Sequence, residues 1–559
     1  MNFTGAEANL AEAVRRIETA GPGSGTGRPA WLQALEGVRL PLYDVHWPAA
    51  VVLDKRKVDG GETIRVGLRD GRIMPLTAWN ASIRRALKAY DVVLVRLVEA
   101  SPKPIPSVKP SPNAKSSASA KSKPQMASAR AELRVRPTVQ GAAVVLENKS
   151  GRILAMAGGF SYPLSQLNRT TQAHRQPGSA FKPLVYLAAL GQGLQPNTLI
   201  WDTPVTLPPV GGFASRAQDY WTPKNYDGGS SGTLTLRRGL ENSKNLVTAR
   251  LLDGGIAARP EDSLNKVCAL AREAQLYTEC MHYYPFVLGA QPVRPIDLAG
   301  FYAAVANEGG RPTPYAIESI EQDGKIIYQH DAKPLAFLGS ADRVAFYQLK
   351  TMLQGVLARG TARRIAHLAP YVGGKTGTSD EENDTWFVGF SNDVTVAVWA
   401  GYDNADGKRR TLGGGATGGS VAVPMFAPIM QAAWSSYTPR TALAPASKEA
   451  MKNMVAKQTG SSDGSSSAKF TEYFRTDKSG RIAVNHTRLA NGESNQRETK
   501  QVRSVRAPVR SAGRPDGSWA QGQPSPWNSG WGSWNDGWSQ GQNERSRPLQ
   551  RPGSSFFRF

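Results

Sequence analysis

Two pairs of short apolar runs enclose a long helix-rich segment, and this arrangement constrains the fold more than any other feature. The first pair, Ala142–Glu147 and Arg152–Ala157, is joined by an Asn-Lys-Ser-Gly turn, which is a β-hairpin signal. The second pair, Asp384–Ser391 and Val394–Ala400, follows the helix-rich stretch, and a last helix is expected over about Val423–Trp434. We therefore expect an α+β domain whose sheet joins both ends of this segment.

A smaller set of apolar runs precedes this domain and predicts a separate β module over residues 45–100. Gly or Asp-Gly turns separate the runs, as is typical of short strands in an all-β unit. The four runs are Ala49–Leu53, Thr63–Leu68, Arg72–Leu76 and Val92–Leu97. The simplest interpretation of this module is a spacer without chemistry of its own.

Three segments have compositions that predict linkers or disorder, and they leave residues 129–440 as the main domain. Residues 1–44 hold a short amphipathic helix and a Gly-Pro-Gly-Ser-Gly break, and we interpret them as a residual linker. Residues 101–128 combine Ser, Ala, Pro and Lys without an acidic residue, which predicts a linker or long surface loop. Residues 441–559 are basic and low in complexity, with Trp repeated among Gly, Ser, Gln and Asn over 511–545, so we expect them to be mostly disordered.

Composition excludes several classes of protein. Two cysteines in 559 residues exclude a disulfide scaffold. No run approaches the roughly 18 uninterrupted apolar residues of a membrane span, and residues 1–20 lack the apolar region of a signal peptide. The 68 Lys and Arg exceed the 45 Asp and Glu by 23. The basic, Trp-containing tail could bind single-stranded nucleic acid. We expect no nucleic-acid partner, because its charge is sparse, and anionic polymers or lipid headgroups fit the same electrostatics at least as well.

The most informative segment runs from Arg175 to Pro183 and reads RQPGSAFKP. A Pro-Gly turn precedes Ser179 and an apolar helix face follows it, so Ser179 is expected at or near a helix N-terminus. Pro183 fits only in the first turn, where its missing N–H is no loss. Lys182 lies three residues after Ser179, on the same face. A lysine can serve as the base of a nucleophilic serine where burial or a second cation lowers its pKa.

A Ser-x-x-Lys pair has little specificity by itself. The chain contains two more, Ser263 with Lys266 on an expected surface helix and Ser466 with Lys469 in a Ser-rich loop. A single match is therefore more often a solvated helix face than a catalytic pair.

Two further short motifs follow along the chain. Ser243–Asn245 precedes an apolar run, and its simplest interpretation is a Ser or Asn helix cap. Gly373–Thr378 reads GGKTGT and leads into a strand, as an ordinary glycine-rich hairpin with an exposed lysine would. Looser Lys-Ser-Gly matches at Lys149 and Lys478 show that this motif is also weak alone. The combination of all three motifs in this order is a much stronger signal.

In this order, the motifs resemble those of the serine penicillin-recognising enzymes, which include penicillin-binding proteins and serine β-lactamases. Their separations are 243 − 179 = 64 and 375 − 243 = 132 residues. Longer stretches are similar to class A penicillin-binding proteins, and the resemblance covers about residues 130–437. These stretches are Phe160–Leu190, Leu288–Gly310 and Gly373–Asp403. The β module resembles the OB-like insert of 1A-type Gram-negative members. The resemblance implies an antiparallel sheet with a helical subdomain.

The resemblance also implies a peptidoglycan D,D-transpeptidase that works through a serine acyl-enzyme. Ser179 would be the nucleophile and Lys182 its base. Ser243 with Lys375 would return a proton to the leaving amine, and Asn245 would hold a substrate amide. No metal or cofactor is implied.

Substrate binding is implied for the third motif. Lys375 beside the hydroxyls of Thr376 and Thr378 suits the terminal carboxylate of a stem peptide. Gly377 leaves room for substrate along the strand edge. The family pattern places an oxyanion hole at the backbone N–H groups of Ser179 and Thr378. Lys375 would also help to keep Lys182 neutral, because the two carry like charges.

Two alternatives stay open at this point. One is a serine β-lactamase or a D,D-carboxypeptidase, and the other is a non-catalytic penicillin-binding or cell-wall scaffold. The implied ligands are peptidoglycan stem peptides and inhibitory β-lactams. The β module would serve cell-wall-synthesis or outer-membrane partners.

The front of the chain departs from the family pattern. Members normally begin with a membrane helix and a glycosyltransferase domain, and the sequence shows neither. The chain therefore resembles a C-terminal portion, a truncated gene model or a degenerate paralogue. Family resemblance implies the periplasm, at the periplasmic face of the inner membrane.

The two cysteines and the six histidines are not part of the three motifs. Cys268 and Cys280 are close enough for a local disulfide, and two unrelated buried thiols are about equally expected. We interpret the histidines as structural or exposed, and only His174, five residues before Ser179, lies near the chemistry. The histidines without metal-ligand spacing are His46, His174, His282, His330, His367 and His486.

Overall fold

The computed structural model describes part of the chain. The described residues are 5–19, 27–40, 47–58, 61–78, 81–99, 129–211, 220–403, 407–459 and 470–484. The expected linker 101–128 and the Trp-rich stretch 511–545 lie outside these residues.

A β module forms the first part of the described chain. Its elements are β1 (Ala8–Asn9), α1 (Ala11–Thr19), α2 (Ala30–Glu36), β2 (Ala49–Val58), β3 (Gly61–Leu68), β4 (Ile73–Thr77), α3 (Ala81–Ala86), β5 (Asp91–Val98) and β6 (Arg130–Arg134). Within the described residues, these strands form one sheet in the order β1-β5-β2-β3-β4-β6. The four predicted strands are all present.

The boundaries of this module differ from those expected. Arg130–Arg134 lies within residues 129–440, the range predicted for the main domain. It forms strand β6 of the β module instead, because its backbone polar groups pair with β4 and β5. The described part of residues 1–44 is also more than a linker. Val14 of α1 and Leu35 of α2 are buried against Val51 of β2, so both helices belong to the module.

The main domain follows. Its elements are β7 (Gln140–Glu147), β8 (Ile153–Ala157), α4 (Lys182–Gly191), β9 (Leu199–Asp202), β10 (Gly232–Thr235), α5 (Leu236–Glu241), α6 (Asn245–Arg250), α7 (Pro260–Glu273), α8 (Pro295–Ala306), β11 (Gly310–Arg311), β12 (Ser319–Gln322), β13 (Lys325–Gln329), β14 (Ala336–Phe337), α9 (Arg343–Ala358), β15 (Gly373–Thr378), β16 (Asp384–Phe390), β17 (Val394–Gly401), α10 (Val423–Ser436), α11 (Lys448–Met451), β18 (Met454–Thr459) and β19 (Phe470–Arg475).

The central sheet has the order β15-β16-β17-β7-β8, and all its pairs are antiparallel. β17 pairs with β7 from Val394 opposite Glu147 to Gly401 opposite Gln140. This ladder joins the two ends of the helix-rich segment, as predicted from the apolar runs.

Helices cover both faces of the central sheet. Successive side chains of a strand point to opposite faces. Phe387 of β16 packs against Phe426 of α10, with ring centroids 4.6 Å apart. Trp386 points the other way, and its indole N–H donates to the carbonyl of Gln176 at 2.8 Å, just before α4. Helix α4 is buried from Lys182 to Leu190, so it forms the centre of the helical layer.

The chain after residue 440 contains ordered elements, which corrects the expected start of the disordered tail. β18 and β19 pair as a hairpin from Met454 opposite Arg475 to Thr459 opposite Phe470. Glu472 is buried, and Gln348 of α9 donates to the carbonyl of Tyr473 at 3.0 Å. The residues that this hairpin contacts lie on the main domain, more than 100 residues earlier in the chain. The composition of the segment alone therefore did not predict that it is ordered.

Cys268 and Cys280 form a disulfide, which decides between the two alternatives left by the sequence. It ties α7 to the segment that leads into Tyr284–Leu288, a 3₁₀ helix. No helix among the described residues is long and apolar enough to cross a membrane. The same residues contain no group of three or more His, Cys, Asp or Glu side chains that could hold a metal ion.

Candidate active site

Ser179 lies in a 3₁₀ turn, Gly178–Phe181, that leads directly into α4. Pro183 occupies the first turn of α4, where its missing N–H costs no hydrogen bond. Ser179 is partly exposed, whereas Lys182 is fully buried. The predicted position of Ser179 at a helix N-terminus is therefore confirmed.

Strand β15 runs against the turn that carries Ser179, and glycines permit this close approach. Gly178 has φ +50°, and a Cβ there would lie 2.2 Å from the carbonyl oxygen of Thr378. A Cβ on Gly377 would lie 2.4 Å from the carbonyl oxygen of Pro177. The third motif is thus in contact with the first, and any side chain at either glycine would separate them.

Ser243 connects the three motifs through its hydroxyl. It lies between α5 and α6 with φ +58°, a left-handed conformation that is uncommon for a residue with a side chain. Lys375 Nζ donates to Ser243 Oγ at 2.9 Å, and Lys182 Nζ lies 3.4 Å from the same oxygen. One hydroxyl is therefore shared between the lysines of the first and third motifs.

Lys182 has two shorter contacts as well. Its Nζ donates to the carbonyl of Ser243 and to Oδ1 of Asn245, both at 2.6 Å. A neutral amine has two N–H donors and one lone pair. These two acceptors use both donors of a neutral Lys182, and its lone pair then remains to take a proton, with the Ser243 hydroxyl oxygen 3.4 Å away.

Burial lowers the pKa of both lysines, and repulsion by Lys375 lowers that of Lys182 further. Desolvation is the main cause for Lys182, whose pKa falls well below its usual value, and the charge of Lys375 is the next cause. Desolvation lowers the pKa of Lys375 to about 7. Asp202 acts in the opposite direction on Lys182, because a nearby carboxylate favours the ammonium form. Near neutral pH the site therefore favours the neutral amine at Lys182, whereas Lys375 exchanges between its ammonium and amine forms.

Comparison with models of known protein families identifies the family of this chain. The penicillin-binding protein transpeptidase domain matches residues 141–266 and 287–431. The chain belongs to the penicillin-binding proteins.

Relatives and solved structures agree with this membership. A penicillin-binding protein 1A of Rickettsia bellii is 35% identical over 328 residues, which cover 55% of this chain and 39% of the relative. One from Rickettsia conorii is 30% identical over 454 residues, which cover 76% of this chain and 51% of the relative. The chain thus spans roughly two fifths to half of these curated relatives. The crystal structure of penicillin-binding protein 1A from Haemophilus influenzae has the same fold, with a TM-score of 0.62, 22% identity, and coverage of 87% of this chain and 69% of that one.

Residues of all three motifs lie next to one another in the folded domain. Lys182, Ser243, Asn245 and Lys375 form one hydrogen-bonded group. Thr376 is buried, and its hydroxyl is 2.6 Å from that of Thr361.

Thr378, the last residue of β15, is less buried than Thr376. Its hydroxyl accepts a hydrogen bond from the backbone N–H of Gly418 at 3.1 Å. The two threonines of this penicillin-binding protein therefore differ: the side chain of Thr376 is buried inside the domain, and that of Thr378 is partly exposed.

Sequence reasoning missed the residues that hold Asn245. Asn225 Oδ1 accepts from the backbone N–H of Asn245 at 2.8 Å, and Asn225 Nδ2 donates to Asp202 Oδ1 at 2.7 Å. Lys244 forms ion pairs with Asp227 and Asp202 at 2.9 and 3.5 Å. No motif marks Asn225 or Asp202, because they act on the second motif only through the folded structure.

The additional sequence matches among the described residues have ordinary structural roles, and Ser466 with Lys469 lies outside those residues. Ser263 Oγ donates to the carbonyl of Leu252 at 2.6 Å, inside the domain. Lys266 is exposed and bonds Gln192 at 2.7 Å. Lys478 and His174 are also exposed. These positions supply matched controls for tests of the motif residues.

Proposed function

We propose that this domain is a peptidoglycan D,D-transpeptidase that forms stem-peptide cross-links through an acyl-enzyme on Ser179. The observation that carries the proposal is the sharing of the Ser243 hydroxyl by Lys182 and Lys375, beside the turn that holds Ser179. Such an arrangement can accept one proton and return another without a metal or cofactor.

In the acylation step, Ser179 Oγ attacks the carbonyl between two D-alanines. The Ser179 proton passes to Lys182, whose burial and neighbouring Lys375 lower its pKa and favour the neutral amine. The carbonyl becomes a tetrahedral oxyanion with a new C–O bond. We assign the stabilising donors to the backbone N–H groups of Ser179 and Thr378. Loss of one such donor typically raises a barrier by roughly 2.7–4 kcal/mol.

Collapse of this intermediate breaks the C–N bond and needs a proton on the leaving D-alanine nitrogen. Ser243 can donate its hydroxyl proton to that nitrogen, and the surrounding lysines can replace it, because both lie within 3.4 Å of its oxygen. The proton taken from Ser179 thus ends on the departing amine, and the acyl group remains on Ser179.

Substrate recognition follows from the charges and hydroxyls at β15. A stem peptide ends in a carboxylate, and Lys375 with Thr378 supplies a cation and a hydroxyl for it. We assign to Thr376 a supporting role, since it is buried against Thr361. Asn245 would orient a substrate amide, with its own backbone held by Asn225.

In the second half of the reaction, an amine of a neighbouring stem attacks the acyl-enzyme. A new amide bond forms, the ester to Ser179 breaks, and the amine proton returns to Ser179 along the same relay. If water replaced the amine, the product would be that of a D,D-carboxypeptidase. A β-lactam contains a comparable amide, so it should acylate Ser179. We also propose a periplasmic location and, for the β module, a partner in cell-wall synthesis or at the outer membrane.

The test is labelling with a fluorescent penicillin. Wild type should form a covalent adduct, Ser179→Ala should not, and Ser435→Ala should label like wild type because that hydroxyl lies on the exposed side of α10. Labelling that persists in Ser179→Ala would contradict the proposal, because another residue would then be the nucleophile. Absence of labelling in wild type would contradict it too, and would favour a non-catalytic scaffold.

A second measurement separates the enzymatic alternatives. A transpeptidase should keep its penicilloyl adduct for minutes or longer, and should transfer a D-Ala-D-Ala donor to an added D-amino acid amine. Rapid release of the label would identify a β-lactamase. Hydrolysis of the donor without any transfer product would identify a D,D-carboxypeptidase.

A further inference from the structure

We propose that the C-terminal hairpin β18–β19 is part of the support of the active site, with Glu472 as a positioning residue for Ser243. The inference rests on the proposed function. The transpeptidase match ends at residue 431, before this hairpin. The hairpin nevertheless reaches the residues that precede the second motif, through a buried set of ion pairs.

The first link joins Glu472 of β19 to Arg237 of α5. Arg237 donates from Nε to Glu472 Oε2 at 2.5 Å and from Nη2 to Oε1 at 2.6 Å. Both side chains are at most 4% exposed, so this two-point contact lies away from solvent. Arg237 also donates to the carbonyl and hydroxyl oxygens of Thr351 in α9, at 2.8 and 2.9 Å. Its guanidinium group is therefore bound on two sides, by α9 and by the hairpin.

The second link runs along α5 to Glu241, its last residue. Arg237 Nη1 lies 3.7 Å from Glu241 Oε1, and Arg238 and Arg359 also bind this carboxylate. Glu241 is fully buried, and a Cβ on Gly355 would lie only 1.8 Å from its Oε1. The Glu241 side chain is thus tightly packed between α5 and α9.

The third link connects Glu241 to both lysine-bearing motifs. Ser243 lies two residues after Glu241 in a left-handed conformation, so its hydroxyl position depends on where α5 ends. The carbonyl of Glu241 accepts from the backbone N–H of Thr361 at 3.1 Å. The hydroxyl of Thr361 is 2.6 Å from that of Thr376 on β15. A shift of Glu241 would therefore move Ser243 and β15 together.

The negative charge of Glu472 helps to balance the buried arginines around α5. Three arginines, Arg237, Arg238 and Arg359, surround the carboxylates of Glu241 and Glu472. Without the Glu472 charge, buried Arg237 keeps only Glu241 as a carboxylate partner, and removal of one member of a buried pair is strongly unfavourable. Arg237 would then be drawn toward Glu241, which displaces the end of α5 and the hydroxyl of Ser243.

The experiment compares penicillin acylation in the full chain for wild type, Glu472→Gln and Glu472→Ala. Stopped-flow traces over a range of penicillin concentrations separate the dissociation constant of the initial complex from the acylation rate constant. Arg475→Ala is the matched control, since Arg475 anchors the same hairpin to Asp342 at 2.7 Å but does not touch the arginine and glutamate set. Thermal melts of each variant report how far the fold is weakened.

A positioning role predicts that both Glu472 variants lower the acylation rate constant at least 10-fold, with the dissociation constant changed less than 3-fold. Arg475→Ala should acylate at the wild-type rate even where its melting temperature falls as far as that of Glu472→Gln. The inference is overturned if Glu472→Gln folds and acylates like wild type, or if Arg475→Ala slows acylation equally. Should Glu472→Ala fail to fold, Glu472→Gln alone decides. Absence of acylation in wild type would instead contradict the proposed function.

Discussion

The ammonium nitrogen of Lys375 lies 2.9 Å from the hydroxyl oxygen of Ser243, across 132 residues of sequence. This contact is the shortest side-chain link between the second and third motifs among the described residues. It places a titratable group against the hydroxyl that we propose as the proton donor to the leaving amine. The protonation of Lys375 should therefore affect both the stability of the fold and the chemistry.

The first prediction concerns the base. Lys182→Met removes the amine but keeps an unbranched side chain of similar length inside the domain, so the chain should still fold. General-base catalysis is typically worth 10²–10⁴-fold in rate. The acylation rate constant for penicillin should fall by about that factor, and stopped-flow fluorescence measures it.

Lys266→Met is the control for this change, because Lys266 belongs to the other described Ser-x-x-Lys pair and is exposed. It should acylate at the wild-type rate. If Lys182→Met were acylated within about 3-fold of wild type, Lys182 would not be the base.

The second prediction concerns the pH dependence of stability. The pKa of Lys375 is about 7 in the folded protein, against a usual value of 10.5. Between these values the unfolded chain binds a proton that the folded chain does not, so the free energy of unfolding rises with pH. One such group contributes roughly 1 kcal/mol per pH unit, and below about pH 7 its contribution to the slope ends.

Lys182 acts in the same direction, since its pKa is also lowered. Urea unfolding at pH 7, 8 and 9 should show a steeper rise in the free energy of unfolding for wild type than for Lys375→Met. Lys478→Met, which alters an exposed lysine, should keep the wild-type slope. An unchanged slope in Lys375→Met would mean that Lys375 is not the titrating group.

The sequence predicted most of the central sheet, because its apolar runs coincide with the strands. It was less informative where polar residues continue a strand. The predicted run Ala49–Leu53 ends where charged residues begin, yet β2 continues to Val58. Asp54 there accepts hydrogen bonds from Arg65 on β3, which lets charged residues extend the ladder. Such cross-strand pairs require knowledge of the register, which the sequence does not contain.

In the site as well, the sequence predicted the residues of short local motifs but not the residues that support them from distant parts of the chain. Motif order predicted Ser179, Lys182, Ser243, Asn245 and Lys375, and the structure brings the last four into one hydrogen-bonded group. The supporting residues come from elsewhere in the chain and match no motif. Their role depends on tertiary contacts between elements that are far apart in sequence, as for the hairpin that carries Glu472.

The third prediction concerns the disulfide. Cys268 and Cys280 are 12 residues apart, and a crosslink of this kind typically adds about 2–4 kcal/mol to the free energy of unfolding. The Cys268→Ser/Cys280→Ser double variant should be less stable by about that amount in urea unfolding. The disulfide lies outside the motifs, so penicillin labelling of the folded variant should match wild type.

A reductant provides the control for this measurement. It should lower the stability of wild type toward that of the double serine variant, and it should not affect the variant itself. Equal stability of oxidised and reduced wild type would show that the crosslink does not contribute.

The fourth prediction concerns the contact between β15 and the turn of Ser179. Gly377→Ala places a Cβ 2.4 Å from the carbonyl oxygen of Pro177 and 2.9 Å from the Cβ of Ala180, so the strand and the turn must move apart. Overpacking of this kind costs typically about 1–3 kcal/mol of stability. The acylation rate constant should fall by more than the smaller folded fraction alone explains. The reason is that moving β15 away from the turn changes the distance between Ser179 and Lys375.

Gly414→Ala is the matched control, since a Cβ there meets nothing within 4 Å. It should melt and acylate like wild type. The diagnostic comparison is Gly377→Ala assayed well below its melting temperature, where the population is folded and the rate reports geometry. A wild-type rate under those conditions would mean that the chemistry tolerates a displaced β15, which conflicts with the role assigned to Lys375 and Thr378.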